Sequence, residues 1–263
     1  MNLQCDINLA AGYKSRSQIA RVISEDWCRR ELYCPACDSD GLAPTRPNSR
    51  VRDFSCPSCN QFFELKSSDK WNLRKIPDAG YSAMIQAIRQ DRTPNLLVLQ
   101  YSAQWLVREL LLIPRTFFVE GVIEKRKPLN LGARRAGWVG CNILLERIPQ
   151  DGKIALVSGG AVVPANRVRK EFLRVRELAS VAPATREWTV DVLGAVRRLG
   201  KRQFSLDELY GFEAEFQATH PHNQNIRPKI RQQLQILRGM RLLRFDGRGR
   251  YTLLSPNDPQ PRS

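Results

Sequence analysis

Four of the seven cysteines stand in two tight pairs, Cys34-Pro-Ala-Cys37 and Cys56-Pro-Ser-Cys59, with eighteen residues between them. A C-x2-C turn brings two thiolates onto one ion, and a second such turn completes a tetrahedral site of the zinc-ribbon kind. Four thiolates leave no open position, so a Zn²⁺ held by Cys34, Cys37, Cys56 and Cys59 is structural rather than catalytic. Four buried thiols or two disulfides are the alternatives. Cys5, Cys28 and Cys141 are isolated in the sequence and read as buried free thiols.

Carboxylates flank the second cysteine pair. Asp53 lies three residues before Cys56, and Glu64-Leu65-Lys66 begins five residues after Cys59. Alternate side chains share a face of a strand, so Glu64 and Lys66 point one way and Phe63 and Leu65 the other. A chain reversal at the second cysteine turn can set Asp53 beside Glu64 on a neighbouring strand. Two carboxylates and a lysine at one spot suit Mg²⁺ and phosphodiester chemistry. Hard oxygens hold the cation, the cation polarises the phosphate and a bound water, and Lys66 can orient that water or offset charge. Taken alone, an acid-x-Lys pair is also what a solvated strand face carries.

Two further places collect cations. In Ala-Arg134-Arg135-Ala-Gly-Trp138-Val-Gly, the glycines and arginines argue for an exposed loop entering a strand. Arg134 and Arg135 can meet phosphates or guanine, and Trp138 offers a flat apolar surface. The alternative is a tryptophan that anchors the loop to the core. Between residues 221 and 254 there are eight basic residues against one acid, Asp246. Arg227, Lys229 and Arg231 fall near the start of a helix, and Arg248 and Arg250 on a hairpin. Recognition helices and wings present such side chains to DNA, although a winged helix can also serve protein contacts. His220 and His222 flank a proline and read as loop residues.

The elements that must position these groups are legible in outline. Residues 17–32 form an amphipathic helix with Ile19, Val22, Ile23, Trp27 and Leu32 near a 3.6-residue period. A loop-rich cysteine region (33–60) leads to a strand at 61–66. A helix is expected at 78–91, buried strands at 95–101 and 106–113, and short strands mixed with basic loops over 116–165. Arg167, Arg169, Lys170, Arg174 and Arg176 recur near a helical period and read as a solvated linker helix. A domain boundary falls near Pro183. Beyond it come a helix at 187–199, a second opened by the capping box Ser205-Leu-Asp-Glu208 and running to about 218, a third at 225–238 with Ile226, Ile230, Leu234 and Leu237 as its buried stripe, and a hairpin over 242–254. Three helices and a hairpin wing is winged-helix order. The proline-rich last residues, 255–263, read as a disordered tail.

Composition agrees with this division. The 263 residues are 42% hydrophobic, enough for an ordinary core, and carry a formal charge of +16, which points to a polyanionic partner. No apolar stretch approaches the ~20 residues of a membrane span, and the N-terminus shows no secretion signal. A reducing, cytoplasmic setting without a membrane partner is the expectation.

Asp53, ten intervening residues and Glu64-Leu65-Lys66 resemble the PD-(D/E)xK nuclease motif, with Arg52 where the motif usually has proline. The segments YKSRSQIARVISEDW (13–27), YCPAC (33–37), FELKS (63–67), ARRAGWVGCNI (133–143), IRQQLQILR (230–238) and FDGRGRY (245–251) closely resemble the DpnI-like methyl-directed restriction endonucleases, in collinear order from about residue 13 to 254. The resemblance implies an α/β PD-(D/E)xK core, a mixed sheet flanked by helices with an inserted zinc ribbon (about 33–60), over residues 1–183. An α+β winged-helix domain over 184–254 follows. It also implies Mg²⁺-dependent cleavage of double-stranded DNA at GATC carrying N6-methyladenine, Asp53, Glu64 and Lys66 as catalytic residues, and Trp138 on the methyl-reading surface. A monomer with no obligate protein partner is expected. Two other readings remain: a zinc-ribbon and winged-helix regulator without catalysis, which would have no need of Asp53, Glu64 and Lys66, and a nuclease with another target.

Overall fold

The computed structural model describes residues 1–45, 52–70, 74–255 and 258. Residues 46–51 of the cysteine region and most of the expected tail at 255–263 lie outside the described residues. The chain divides into two compact units that interleave along the sequence: residues 1–73, 93–115 and 152–173 form one, and 74–92, 116–151 and 174–263 the other. Elements are numbered in chain order.

The first unit is built on a seven-stranded mixed sheet. Its strands are β1 (Ala43–Pro44), β2 (Phe54–Ser55), β3 (Phe62–Ser68), β5 (Asn95–Tyr101), β6 (Val107–Ile113), β9 (Ile154–Ser158) and β10 (Ala161–Val162), adjacent in that order. Only β3 and β5 pair in parallel, Glu64 opposite Leu96 and Lys66 opposite Val98; the other pairs are antiparallel. The apolar run Leu96–Leu99 is buried throughout, as a central strand covered on both faces requires. Helix α1 (Arg16–Glu31) buries Ile23, Ser24, Trp27 and Cys28. It touches the sheet through Ser24, whose hydroxyl lies 2.9 Å from that of Ser67 on β3. Trp27 is fully buried and satisfies its indole N–H on the Asn2 carbonyl at 2.8 Å. Helix α3 (Ala165–Arg176) buries Val168 and Phe172.

The second unit carries a three-stranded antiparallel sheet in the order β4 (Lys75–Gly80), β8 (Gly140–Leu144), β7 (Ile123–Lys125), with α2 (Tyr81–Arg89) following β4 directly. The expected helix at 78–91 therefore starts three residues later. Lys75–Gly80 pairs with β8 instead, and Pro77 is tolerated because β4 is an edge strand. The same unit holds α4 (Pro183–Arg198), β11 (Gln203–Ser205), α5 (Leu206–Tyr210), α6 (Glu213–Thr219), α7 (Ile226–Gly239), β12 (Leu243–Gly247) and β13 (Arg250–Leu253), with a second small sheet ordered β11-β13-β12. Helices and hairpin together make the winged helix. α4 begins earlier than its apolar period suggested, because Pro183 pre-sets the first helical turn. The capping box at Ser205 and Glu208 forms in full, but the helix it opens breaks at Gly211 into α5 and α6. Ile226, Ile230, Leu234 and Leu237 are the buried stripe of α7.

Two buried polar contacts brace this unit. Arg186, 3% exposed, donates to the carbonyls of Leu178 (2.9 Å) and Val181 (2.9 Å) and to Asp91 Oδ1 (2.6 Å). His220 stacks on Trp188, centroids 3.8 Å apart, and its Nε2 lies 2.8 Å from Asp191 Oδ2. Arg186→Ala takes a donor from those carbonyls and from the Asp91 carboxylate together. Arg186 is buried but Asp91 is 31% exposed, so the expected cost is about 2–3 kcal/mol, below the ~3–5 kcal/mol for stripping one partner from a fully buried ion pair. Urea unfolding reads this directly, and a loss below about 1 kcal/mol, the scale of an exposed ion pair, would show that Arg186 does not brace the unit.

Candidate active site and metal centre

β2 and β3 pair antiparallel with Phe54 opposite Phe63, and Asp53, one residue beyond that pair, bonds β3 at Phe63 and Leu65, the residues on either side of Glu64. The reversal between β2 and β3 is the Cys56–Cys59 turn. Cys56 N–H donates to the Gln61 carbonyl at 2.9 Å, Asn60 N–H to the Cys56 carbonyl at 3.0 Å, and Asn60 takes a left-handed φ of 57°. Asp53 is tied on both sides. Its N–H donates to the Phe63 carbonyl at 2.9 Å, and its Oδ2 accepts the Leu65 N–H at 2.7 Å. Glu64 is 8% exposed, and its Oε1 lies 2.6 Å from Lys66 Nζ. The three sequence-nominated residues thus share one strand end: Asp53 is clamped to the β3 backbone and Glu64 is paired with Lys66.

Sequence reasoning passed over a neighbour. Arg21 on α1 is 75% exposed and bonded to Glu25 Oε1 at 2.7 Å. Its guanidinium is held above its usual range first by that bond, with a smaller contribution from Asp53. Its helix position looked like ordinary amphipathic surface, so no local signal marked it.

The four cysteines converge. Cys34 and Cys59 sulfurs are 3.6 Å apart, those of Cys37 and Cys56 3.5 Å, and all four lie within 4.8 Å of one another. Tetrahedral Zn²⁺ with Zn–S bonds near 2.3 Å places its sulfurs about 3.8 Å apart, so the cluster fits a structural four-thiolate site. Burial pushes the Cys34 thiol well up. Burial also opposes ionisation of Cys56, but the N–H groups of Cys59 and Ser58 outweigh it and bring that thiol down to about 6. A metal ion must displace the remaining protons, which couples its binding to pH. Cys5, Cys28 and Cys141 are buried outside the cluster, and the Cys141 thiol donates to the Ala79 carbonyl at 3.3 Å.

Trp138 sits on a hairpin extended from β7 and β8. Arg126 N–H donates to the Gly140 carbonyl at 2.9 Å, and Leu129 N–H to the Trp138 carbonyl at 2.9 Å. The ring lies across a register-paired glycine couple, Gly80 and Gly140. A Cβ at Gly140 would stand 2.8 Å from its Cη2 and Cζ3, and one at Gly80 3.6 Å from its Nε1. Trp138 is half-buried, so it does part of the anchoring of its loop, while Arg134 and Arg135 are exposed.

In the winged helix the nominated cations differ. Arg227 bonds Glu213 at 2.8 Å and lies 4.8 Å over the Tyr210 ring, and Arg231 donates to the Tyr210 hydroxyl at 3.1 Å. Lys229 is half-buried; Arg248 and Arg250 are exposed. Arg248 (φ 49°) and Gly249 (φ 72°) form the turn of the wing, which matches the two-residue type I′ connection.

Two outcomes follow from this geometry. Freshly purified protein should carry one zinc per chain, lost in Cys56→Ala; elemental analysis finding none in folded, unchelated protein would refute the four-thiolate assignment. Gly140→Ala drives a methyl group into the Trp138 ring. It should cost about 1–3 kcal/mol as overpacking and shift tryptophan fluorescence, and an unchanged melting point and spectrum would mean the ring is not seated there.

The family models agree with this architecture. Residues 1–181 match DpnI, the Dam-replacing family, and residues 184–253 match the Dam-replacing HTH domain, DpnI_C. Within the described residues no helix is long and apolar enough to cross a membrane. The mixed α/β sheet, the four-cysteine cluster and the C-terminal helical unit agree with these matches, and the chain belongs to the DpnI Dam-replacing family of DNA-binding restriction endonucleases.

Proposed function

We propose that this protein is a Mg²⁺-dependent, methyl-directed Type II endonuclease that hydrolyses double-stranded DNA at GATC sites carrying N6-methyladenine. The observation that carries the reading is the Asp53 carboxylate fixed by the Leu65 N–H beside the Glu64–Lys66 ion pair. Asp53 and Glu64 are the hard oxygen donors for Mg²⁺, which when bound polarises the phosphodiester and acidifies water. Lys66 orients the attacking water and offsets charge on the phosphoryl oxygens. Water adds to phosphorus, the P–O bond to one sugar breaks, and the departing oxygen takes up a proton. The zinc ribbon contributes no ligand position to this chemistry.

Residues 1–183 act as the nuclease domain and 184–254 as the winged-helix reader. Arg134, Arg135, Arg227, Lys229, Arg231, Arg248 and Arg250 contribute DNA contacts. Trp138 supplies apolar surface for the methyl groups. One methyl is worth only ~1 kcal/mol by area, so strong methyl dependence needs both methyls of the palindrome or a penalty when they are absent. The protein works as a monomer in a prokaryotic cytoplasm, in a host that leaves its own GATC adenines unmethylated.

The test is digestion of one plasmid prepared with and without adenine methylation, in Mg²⁺ and in EDTA. Methylated plasmid in Mg²⁺ should be cut to a GATC ladder and the other three reactions should stay intact. Asp53→Ala and Glu64→Ala should abolish cutting and still bind methylated duplex. Full nicking by Asp53→Ala would overturn the active site, and equal cutting of both plasmids would overturn the specificity.

A further inference from the structure

Helix α3 departs from the expected solvated linker at Arg174, which donates to the Leu254 carbonyl at 2.7 Å, and at Arg169. Arg169 is 22% exposed at its side chain, against 70% for Arg167 two residues earlier, which pairs with Glu171. Arg169 Nε donates to the Cys34 carbonyl at 3.2 Å, its Nη2 to the Ser39 carbonyl at 3.4 Å, and its guanidinium lies 5.1 Å over the Tyr33 ring. The buried neighbours Val168 and Phe172 fix the helix that carries it.

The two cysteine turns are supported unequally. The Cys56–Cys59 turn closes the β2–β3 hairpin and inherits its ladder. Among the described residues the Cys34–Cys37 turn is closed by the Cys34 N–H to the Ser39 carbonyl at 2.9 Å and the Ala36 N–H to Cys34 Sγ at 3.4 Å, and the strand after it, β1, spans two residues. Arg169 grips the carbonyls at both ends of that loop with one rigid planar fork, a geometry lysine does not reproduce. Its charge also faces a site in which four thiolates around one divalent ion keep excess negative charge. Asp38 lies 3.6 Å from the guanidinium but is fully exposed, where ion pairs contribute little.

We propose that Arg169 is a positioning residue of the zinc centre, clamping the first cysteine turn so that Cys34 and Cys37 are pre-set for the ion. The proposal rests on the zinc reading of the four cysteines. Outer-shell partners of metal ligands typically change metal retention by 10–100-fold. Loss of the clamp therefore frees one cysteine turn ahead of the other.

The experiment uses full-length protein and zinc itself as the probe. Zinc release into a chromogenic chelator is timed for the parent, Arg169→Ala, Arg169→Lys and Arg167→Ala, and alkylation of each cysteine is followed by mass spectrometry. Arg169→Ala should release zinc about 10-fold faster or more, with Cys34 and Cys37 alkylated before Cys56 and Cys59. Arg169→Lys, which keeps the charge and fold but not the fork, should fall between, and Arg167→Ala should match the parent. Release from Arg169→Ala within about two-fold of the parent overturns the proposal, as does simultaneous acceleration of all four cysteines. A parent without zinc overturns the four-thiolate reading instead, which elemental analysis distinguishes at the outset.

Discussion

Asp53 and Glu64 are separated by ten residues, and a chain reversal at Cys56–Cys59 brings Asp53 onto the two residues of β3 that flank Glu64. Much of the candidate site follows from that constraint. β2 is two residues long; just beyond it the Asp53 N–H still reaches the Phe63 carbonyl, but the Leu65 N–H takes a side-chain partner. Asp53 provides it with a side-chain oxygen. A bond that replaces a ladder bond fixes the carboxylate as firmly as the strand itself, because an unmade bond at an N–H shielded from water costs the desolvation of that group. The four-cysteine cluster is thus the turn of the hairpin that positions the acid. This gives a physical reason for a metal-binding insertion at that place: four ligands can hold a turn whose incoming strand, β2, is only two residues long.

Small residues and short ties do comparable positioning elsewhere. Gly80 and Gly140 face each other in adjacent strands, and their missing side chains leave the surface on which Trp138 lies. An indole seated on backbone loses few rotamers on contact with a ligand, which lowers the ordering cost of recognition. Arg227 and Arg231 lean on Tyr210 and Glu213 in the same way. Held side chains present their charge at a set place, whereas free ones must be ordered at the moment of binding.

Periodicity and spacing carried the sequence reading a long way. Where the apolar period was long, as in α1 and α7, element and buried face came out together, while at Ser205 the capping box was right and the helix length was not. Cysteine spacing identified the metal-binding set because metal geometry limits it tightly. The misses share one cause, tertiary contact over local preference. Lys75–Gly80 contains a proline and no alternation, yet forms a strand because β8 offers it an edge. Gly211 splits a helix whose cap and composition favoured continuity. Arg169 looked like its solvated neighbours, since nothing in a one-dimensional period says that two carbonyls more than a hundred residues earlier will meet it. The interleaving of the two units is hidden for the same reason: strand partners far apart in sequence decide it.

The same distinction changes what the net charge of +16 means. Salt dependence of DNA binding counts only cations that reach phosphate and release counterions. Several arginines here are spent inside the fold: Arg186 on carbonyls and Asp91, Arg169 on the first cysteine turn, and Arg197 on Asp151 through contacts of 2.7 and 2.5 Å. Their charge raises the long-range potential that draws a polyanion in, while their guanidinium groups are already engaged within the protein. Arg134 and Arg135 on one hairpin and Arg248 and Arg250 on the wing are exposed, as the proposed phosphate contacts require. Steering and docking therefore draw on different subsets of the same basic residues, and the composition alone overstates the second.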